Sequence, residues 1–87
     1  MYYLYILKCS DGTLYTGITT DVARRVKEHN GSLRGARYTK SRRPISLVYQ
    51  KKYRTRSTAS KAEYAYKQLC REQKLLLIEK FRLSGEK

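Results

Sequence analysis

The 87-residue chain contains one proline, one histidine, two cysteines and no tryptophan. Cys9 and Cys70 lie far apart, and with a single histidine they fit neither a zinc spacing nor a disulfide framework, so we expect reduced, half-buried thiols. The sequence also offers no catalytic Cys/His pair, no glycine-rich loop before a helix and no spare histidine for a Ser/His/Asp set. These absences exclude most hydrolase templates.

Long apolar runs are absent as well. The longest, at residues 4–7 and 75–78, are far shorter than the roughly 20 residues that span a bilayer. The N-terminal residues lack the basic and small-residue features of a signal peptide, so we expect no membrane segment and a cytoplasmic location. A chain of this length predicts one domain with one modest core, which we place at residues 1–83, followed by a frayed tail at 84–87.

Acidic residues are scarce, because seven Asp and Glu oppose 20 Lys and Arg and give a net charge of +13. This charge favours a polyanionic partner, either nucleic acid or an anionic lipid surface. No acidic residue occurs between Glu28 and Glu63, and tyrosines interleaved with the cations there favour nucleic acid, since bases stack on aromatic rings. A solvated basic face is the ordinary alternative. The acid-free interval contains Arg34, Arg37, Lys40, Arg42, Arg43, Lys51, Lys52, Arg54, Arg56 and Lys61, with Tyr38, Tyr49 and Tyr53 among them.

A β-hairpin is predicted at the N-terminus. Residues 2–9 and 14–19 are rich in aromatic and branched side chains, and Ser10-Asp11-Gly12 has the composition of a three-residue hairpin loop with Gly12 in the left-handed conformation. With this loop Tyr5 faces Gly17, whereas a two-residue turn would send Tyr15 to the opposite face. The residues expected to share one face are Tyr3, Tyr5, Tyr15 and Gly17.

Three helices and one further strand follow in the predicted order. A helix capped by Thr20 or Asp21 ends near residue 30, and residues 31–44 form a basic loop. A third strand covers residues 45–53, Ser57 caps a second helix, and a last helix covers residues 71–83. The prediction is therefore an α/β (α+β) fold in the order β-β-α-β-α-α, with a three-stranded antiparallel sheet, its first strand central, flanked by helices.

The predicted helices and third strand each carry an apolar stripe. On the first helix Val22 and Val26 form the buried stripe, and Arg25 and His29, four residues apart, share a neighbouring stripe that can face the edge of the sheet. The remaining predicted packing residues are Ile45, Leu47 and Tyr49 on one side of the third strand, Ala59, Ala62, Tyr66, Leu69 and Cys70 on the second helix, and Leu75, Leu76 and Ile78 on the last.

One combination of residues resembles the GIY-YIG nuclease superfamily over nearly the whole chain. It consists of Tyr3-Leu4-Tyr5, Tyr15-Thr16-Gly17, Arg25, His29 and Glu63. Within the superfamily the chain is similar to the small stand-alone bacterial (UPF0213-like) branch, and more distantly to eukaryotic structure-selective resolvases and the incision domain of bacterial excision repair. The similarity to the small branch is carried by residues 15–21, Arg24-Arg25, 28–30, 37–39 and 42–44.

The resemblance implies catalytic roles for five residues. Tyr5 is the candidate general base, Tyr15 orients the phosphate or the attacking water, and Arg25 holds the scissile phosphate. His29 lies next to the nucleophile or phosphate, and Glu63 binds one Mg2+ or Mn2+ ion, weakly without DNA. Substrate contacts are expected at Gly17, Arg24, Arg34, Arg37, Tyr38, Lys40, Arg42 and Arg43.

Each of these residues also has an ordinary structural interpretation. Tyr5 can be a strand aromatic, Gly17 a bulge and Arg25 a solvent-exposed arginine. His29 can be a surface residue favoured by the helix dipole, and Glu63 can pair with Lys67 four residues on. A phenol of pKa about 10 is also barely ionised at neutral pH, so Tyr5 needs cationic neighbours or a metal-bound water to act as a base.

The resemblance is not complete at two positions. Ile18 stands where the repair branch has a lysine, and no downstream asparagine matches the one found in other branches. We therefore carry two hypotheses forward. The first is a metal-dependent endonuclease acting on branched, flapped or damaged DNA, with no small-molecule cofactor. The second is a nucleic-acid-binding module, or a subunit that depends on a protein partner, with little or no cleavage activity.

Overall fold

The computed structural model describes residues 1–31 and 42–84. Three strands and three helices follow one another in the order β-β-α-β-α-α, and the sheet order β2-β1-β3 places the first strand in the centre, as predicted. The elements are β1 (Tyr2–Lys8), β2 (Leu14–Thr19), α1 (Val22–Gly31), β3 (Ser46–Tyr53), α2 (Arg56–Lys67) and α3 (Arg71–Ser84).

The hairpin of β1 and β2 has the predicted register, with Tyr5 opposite Gly17 and Leu7 opposite Tyr15. Its loop contains Gly12 at φ 85°, the left-handed conformation that glycine adopts without steric cost. The Asp11 carboxylate accepts hydrogen bonds from the Thr13 backbone N–H at 3.1 Å and from its hydroxyl at 2.6 Å. The loop length thus puts the two site tyrosines on the same face of the sheet.

The central strand supplies side chains to both faces of the sheet, since residues 4–7 are all buried. Tyr5 and Leu7 pack with Cys9 and Ile45 on one face, where α1 lies. Leu4 and Ile6 pack on the other face, against α2 and α3, with Tyr49, Ala62, Tyr66, Leu77, Ile78 and Phe81 among their neighbours.

The predicted alternation of β3 is wrong at one point. Leu7 pairs with Leu47 and Ile6 pairs with Tyr49, so the register shifts by one residue at Val48. Because an extra residue reverses the alternation beyond it, Leu47 faces the side of the sheet that carries Tyr5 and α1, whereas Tyr49 faces the side that carries α2 and α3. Ile45, Leu47 and Tyr49 therefore do not share one side.

The second helix begins two residues earlier than predicted. Thr55 is its N-cap, and its hydroxyl accepts from the Thr58 N–H at 3.2 Å, so Ser57 lies inside the helix. Ala59 is buried and Ala62 and Tyr66 are half-buried, as the stripe predicted, but Cys70 is exposed and does not belong to it. Both cysteines are free thiols, as expected, but neither is half-buried, because Cys9 is buried and Cys70 is exposed.

The packing residues of α3 also differ from the prediction. Leu77, Ile78 and Phe81 contact the core, whereas Leu75 and Leu76 are exposed. The side chains of the four consecutive apolar residues 75–78 point in all directions around the helix axis, so the sequence alone does not indicate which side is buried. Ser84 is the last described residue of α3, and residues 85–87 of the predicted tail lie outside the described range.

In the two described ranges, no helix has the length and hydropathy needed to cross a bilayer. The cytoplasmic location and the division into a domain and a frayed tail stay predictions.

Candidate active site

Three aromatic rings meet on the α1 face of the sheet. The Tyr5 hydroxyl and His29 Nε2 are 3.1 Å apart, and both side chains are almost fully buried, with exposures of 1% and 0%. The Tyr15 ring lies 5.1 Å from the His29 ring and 6.4 Å from the Tyr5 ring, between ring centroids. The hairpin register and the helix thus bring together three of the predicted catalytic residues.

Gly17 gives the Tyr5 hydroxyl its space. A Cβ atom at position 17 would lie 2.6 Å from Tyr5 Oη and 2.8 Å from its Cζ, closer than nonbonded atoms approach. The pairing of β1 with β2 runs through Gly17 without a shift, so the bulge interpretation is wrong. The space beside Gly17 thus holds the phenol of Tyr5, and the substrate contact expected at Gly17 stays a prediction.

Helix α1 positions Arg25 and His29 one turn apart. The Asp21 carboxylate accepts from the Arg24 N–H at 3.1 Å at the start of the helix, as an N-terminal capping residue does. All residues of α1 are described, and His29 is the buried one, whereas Val26 is partly buried against the Tyr5 cluster. The structure therefore excludes the surface interpretation of His29, and the histidine replaces the valines as the centre of the buried stripe.

Arg25 lies at the edge of the aromatic cluster. Its Nη1 is 2.9 Å from Glu28 Oε1, and a hydrogen bond with Tyr5 adds to this ion pair in keeping the pKa of Arg25 above its ordinary value despite partial burial. About a quarter of its side chain is exposed (24%). The guanidinium is thus held beside Tyr5 and still reaches solvent, where a phosphate can approach it.

Burial moves the pKa values of Tyr5 and His29 in opposite directions. It raises the pKa of Tyr5 to about 12, and the hydrogen bond from Arg25 offsets only part of this rise. Burial also lowers the pKa of His29 to about 4, and the positive charges of Arg25 and Arg43 lower it further. We expected cationic neighbours to help ionise Tyr5, but in the free protein burial outweighs them. Both groups are therefore neutral at pH 7.

Glu63 lies on α2, close enough to Tyr5 for its charge to contribute, as the smallest of several causes, to the raised pKa of that phenol. Its Oε2 is 3.2 Å from Lys67 Nζ, which is the intrahelical ion pair considered above. No group of three His, Cys, Asp or Glu residues that could hold a metal occurs within residues 1–31 and 42–84. A single carboxylate still fits Mg2+ or Mn2+, since such ions are commonly held by one carboxylate, waters and substrate phosphates.

Arg42 and Arg43, predicted substrate contacts, both bind other parts of the protein. Arg42 Nε is 3.1 Å from Asp11 Oδ2 in the hairpin loop. Arg43 donates through Nε to the His29 carbonyl oxygen at 2.5 Å, and through Nη2 to that of Glu28 at 3.5 Å. Arg24 is largely exposed and lies 3.8 Å from Glu28. Four other predicted contacts, Arg34, Arg37, Tyr38 and Lys40, lie outside the described residues.

Asn30 is a site residue that the sequence analysis missed. Its Nδ2 donates to the Ile45 carbonyl oxygen at 2.9 Å, and its Oδ1 accepts from the Ile45 N–H at 2.6 Å. Residues 28–30 contributed to the family resemblance and the first helix was predicted to end near residue 30, but no contact was predicted for Asn30. No sequence signal indicated that this asparagine joins the helix to the residue before β3.

Comparison with known proteins identifies the family that has this fold. The GIY-YIG catalytic domain family matches residues 1–75, and the chain belongs to this family. A UPF0213 protein of Desulfotalea psychrophila is 59% identical over 90% of this chain and 71% of its own length. A UPF0213 protein of Staphylococcus aureus is 54% identical over 90% of this chain and 94% of its own. The predicted resemblance is thus confirmed.

Two solution NMR structures have the same fold. The UPF0213 protein BH0048 from Bacillus halodurans is 45% identical, with a TM-score of 0.58, over 91% of this chain and 84% of that one. The protein EF2693 from E. faecalis is 43% identical, with a TM-score of 0.63, over 94% of this chain and 86% of that one.

Proposed function

We propose that this protein is a metal-dependent endonuclease that hydrolyses DNA phosphodiesters, with branched or flapped DNA as its preferred substrate. The observation that carries the proposal is the buried 3.1 Å contact between the Tyr5 hydroxyl and His29 Nε2, next to Arg25. Membership of a nuclease family and the net charge of +13 support a nucleic acid substrate. The resemblance to structure-selective resolvases favours branched DNA.

The proton of the attacking water would pass to Tyr5 as Tyr5 passes its own to His29. A tyrosinate is a poor choice of base here, because a pKa of about 12 leaves the phenol protonated at pH 7. In the tautomer with the proton on Nδ1, His29 accepts from the Tyr5 hydroxyl at Nε2, which makes a concerted transfer possible. An incoming phosphate would raise the pKa of His29, since it opposes the charges of Arg25 and Arg43 that lower it.

Arg25 would bind the scissile phosphate through its planar donors and stabilise the charge that develops on its oxygens. The new bond would form between the water oxygen and phosphorus, the bond from phosphorus to the leaving ester oxygen would break, that oxygen would take a proton from solvent, and His29 would return its proton to solvent. Glu63 is the residue that would hold a divalent ion, which when bound supplies charge neutralisation at the phosphoryl and leaving oxygens. Lys67, whose side chain is largely exposed, would release Glu63 for this role.

The test is cleavage of labelled flap, splayed-arm and duplex DNA by the purified protein, with Mg2+, with Mn2+ and with EDTA. We expect metal-dependent cleavage of the branched DNAs. Removing the proton-relay hydroxyl in Tyr5→Phe, or the ligand charge in Glu63→Gln, should slow cleavage roughly 100-fold or more while DNA binding persists.

Each substitution has a matched control. Tyr64→Phe removes the same hydroxyl from an exposed tyrosine next to Glu63, and Glu79→Gln removes the same charge from an exposed ion pair with Arg82. Both controls should cleave at the wild-type rate. Cleavage that survives Tyr5→Phe and Glu63→Gln would contradict the site assignment.

The second candidate function is that of a subunit that binds DNA and needs a protein partner. The apolar surface of α3 favours it, because Leu76 and Leu83 are exposed at 65% and 71%. A groove of about 250 Å³ lies beside this surface, lined by Leu69, Gln73, Leu76, Leu77 and Lys80. Binding of all three DNAs without cleavage of any, with either ion, would favour this function over the first.

A further inference from the structure

The backbone and the Asn30 side chain of the C-terminal turn of α1 make polar contacts with the chain before β3. His29 is the buried residue of this fully described helix, its ring packs against those of Tyr5 and Tyr15, and Val26 is partly buried in the same cluster. The last carbonyl groups of a helix have no partners within the helix and must find them elsewhere. The placement of His29 therefore depends on the groups that bind this turn.

The chain just before β3 provides those groups. Arg43 donates to the carbonyl oxygens of His29 and Glu28, and the Asn30 side chain exchanges two hydrogen bonds with the backbone of Ile45. Ile45 is 5% exposed and packs in the same cluster as Tyr5. The turn that carries His29 is thus fixed to the core that carries Tyr5.

We propose that Arg43 and Asn30 are positioning residues, which hold the His29 ring against the Tyr5 hydroxyl, and that Arg43 is not primarily a DNA contact. Arg43 suits this role because one guanidinium donates in two directions at once, to two successive carbonyl oxygens. Its charge also lowers the pKa of His29, which burial lowers first. The effect on cleavage rests on the proposed function, whereas the effect on His29 does not.

NMR of His29 tests the positioning without DNA, because the chain contains one histidine and its ring signals need no further assignment. In Arg43→Gln and in Asn30→Ala we expect the ring nitrogen shifts to change, and the protonation midpoint to rise from about 4 by at least one pH unit as the ring becomes less buried. Arg71→Gln removes one positive charge at the exposed start of α3 and should leave both unchanged.

Cleavage measurements then separate positioning from DNA binding. Arg43→Gln and Asn30→Ala should each lower kcat roughly 10- to 100-fold. Because both residues hold the same turn, kcat of the double variant should be no lower than that of the more impaired single variant. DNA affinity should stay within about twofold of Arg71→Gln at equal salt, because each removes at most one charge. Arg43→Lys keeps the charge but has its donors on a single nitrogen in place of Nε and Nη2 of the planar guanidinium, so it should lose kcat and keep affinity.

Two results would distinguish failure of this inference from failure of the proposed function. Unchanged His29 signals in folded Arg43→Gln, together with an affinity loss about tenfold greater than that of Arg71→Gln, would make Arg43 a DNA contact and overturn the inference. Changed His29 signals in a protein that cleaves no DNA would uphold the positioning and reject the endonuclease function. Circular dichroism and thermal melting identify variants that do not fold, for which Arg43→Lys is the substitute.

Discussion

Tyr5 and His29 show how burial decides the protonation state of a site in a strongly basic protein. Both groups lie among positive charges, yet the pKa of Tyr5 rises to about 12 because its ionised form is poorly solvated. The pKa of His29 falls to about 4 for the same reason, assisted by Arg25 and Arg43. Tyr5 and His29 are therefore both uncharged in the free protein. The negative charge of a bound substrate would favour transfer of the proton in their hydrogen bond from Tyr5 to His29.

The low pKa of His29 predicts a loss of stability in acid. Between about 4 and the unfolded value of 6.5, the unfolded chain binds a proton that the folded chain does not, so stability falls as the pH falls through this window. Urea unfolding at pH 7.5 and at pH 4.5 should show a loss of about 2–3 kcal/mol from this residue.

His29→Gln provides the control for this experiment, since it lacks the titrating group but keeps a polar side chain near Tyr5. The wild-type protein should exceed His29→Gln in free energy of unfolding by a large margin at pH 7.5 and by a smaller one at pH 4.5. An equal pH dependence in both would show that His29 titrates normally in the folded state.

The positions of Tyr5, Tyr15 and Gly17 could be predicted from the sequence, whereas the burial of His29 could not. The three strand residues follow from one loop length and from the period of two residues in a strand. A single histidine near a helix end has no such constraint, because the same pattern also suits a surface residue. The contacts of Asn30 and Arg43 could not be predicted either, because their partners are backbone groups, which the pattern of side chains along the sequence does not indicate.

Among the secondary structure elements, the hairpin was predicted in detail because its loop and strands favour the same register. The extent of the third strand was predicted, but the face of the sheet to which each of its side chains points was not, since nothing in its composition indicates the register shift at Val48. The last helix was predicted in extent but not in its buried side, because residues 75–78 are apolar all around the helix. Tertiary packing decides both, and it is not a local property.

The start of α2 gives a direct comparison between the observed cap and the predicted one. Thr55→Ala removes the side-chain acceptor for the Thr58 N–H and should cost about 1 kcal/mol in the free energy of unfolding. Ser57→Ala, one residue inside the helix at an exposed position, should change it by less than about 0.5 kcal/mol. Chemical denaturation of the two variants measures the difference, and a larger loss in Ser57→Ala would place the cap where the sequence first suggested.

The contact between Gly17 and Tyr5 predicts that the hairpin tolerates no side chain at this position. Gly17→Ala places a Cβ 2.6 Å from Tyr5 Oη, and the buried ring has little room to move, so we expect a loss of about 1–3 kcal/mol. Thermal or urea unfolding measures it, and adding Tyr5→Phe should recover part of the loss because it removes Oη.

Gly31→Ala is the matched control for this substitution. No described atom lies within 4 Å of a Cβ built there, and the residue ends α1, so the change should be neutral or slightly stabilising. Equal losses in Gly17→Ala and Gly31→Ala would remove the argument from close contact.

For the molecule as a whole, the net charge of +13 predicts strongly salt-dependent DNA binding. If about six phosphates are contacted, the affinity for duplex DNA should fall on the order of a thousandfold between 50 and 200 mM salt. Arg24→Gln should reduce the slope of log affinity against log salt by about one, because Arg24 is exposed on the site helix.

Arg82→Gln removes a cation of the same type that pairs with Glu79 on α3, and should leave that slope unchanged. A flat salt response of the wild-type protein would reject the interpretation of the charge as a DNA-binding surface.

Strand β1 is more deeply buried than helix α1, and the two should therefore differ in how readily they open. Residues 4–7 of β1 are buried on both faces of the sheet, so their amide hydrogens should exchange with solvent only through global unfolding. Helix α1 has one buried side chain and should open locally at lower free energy. Tyr5 and His29 then belong to units of different stability, and opening of α1 would expose the phenol to solvent while the sheet stays intact.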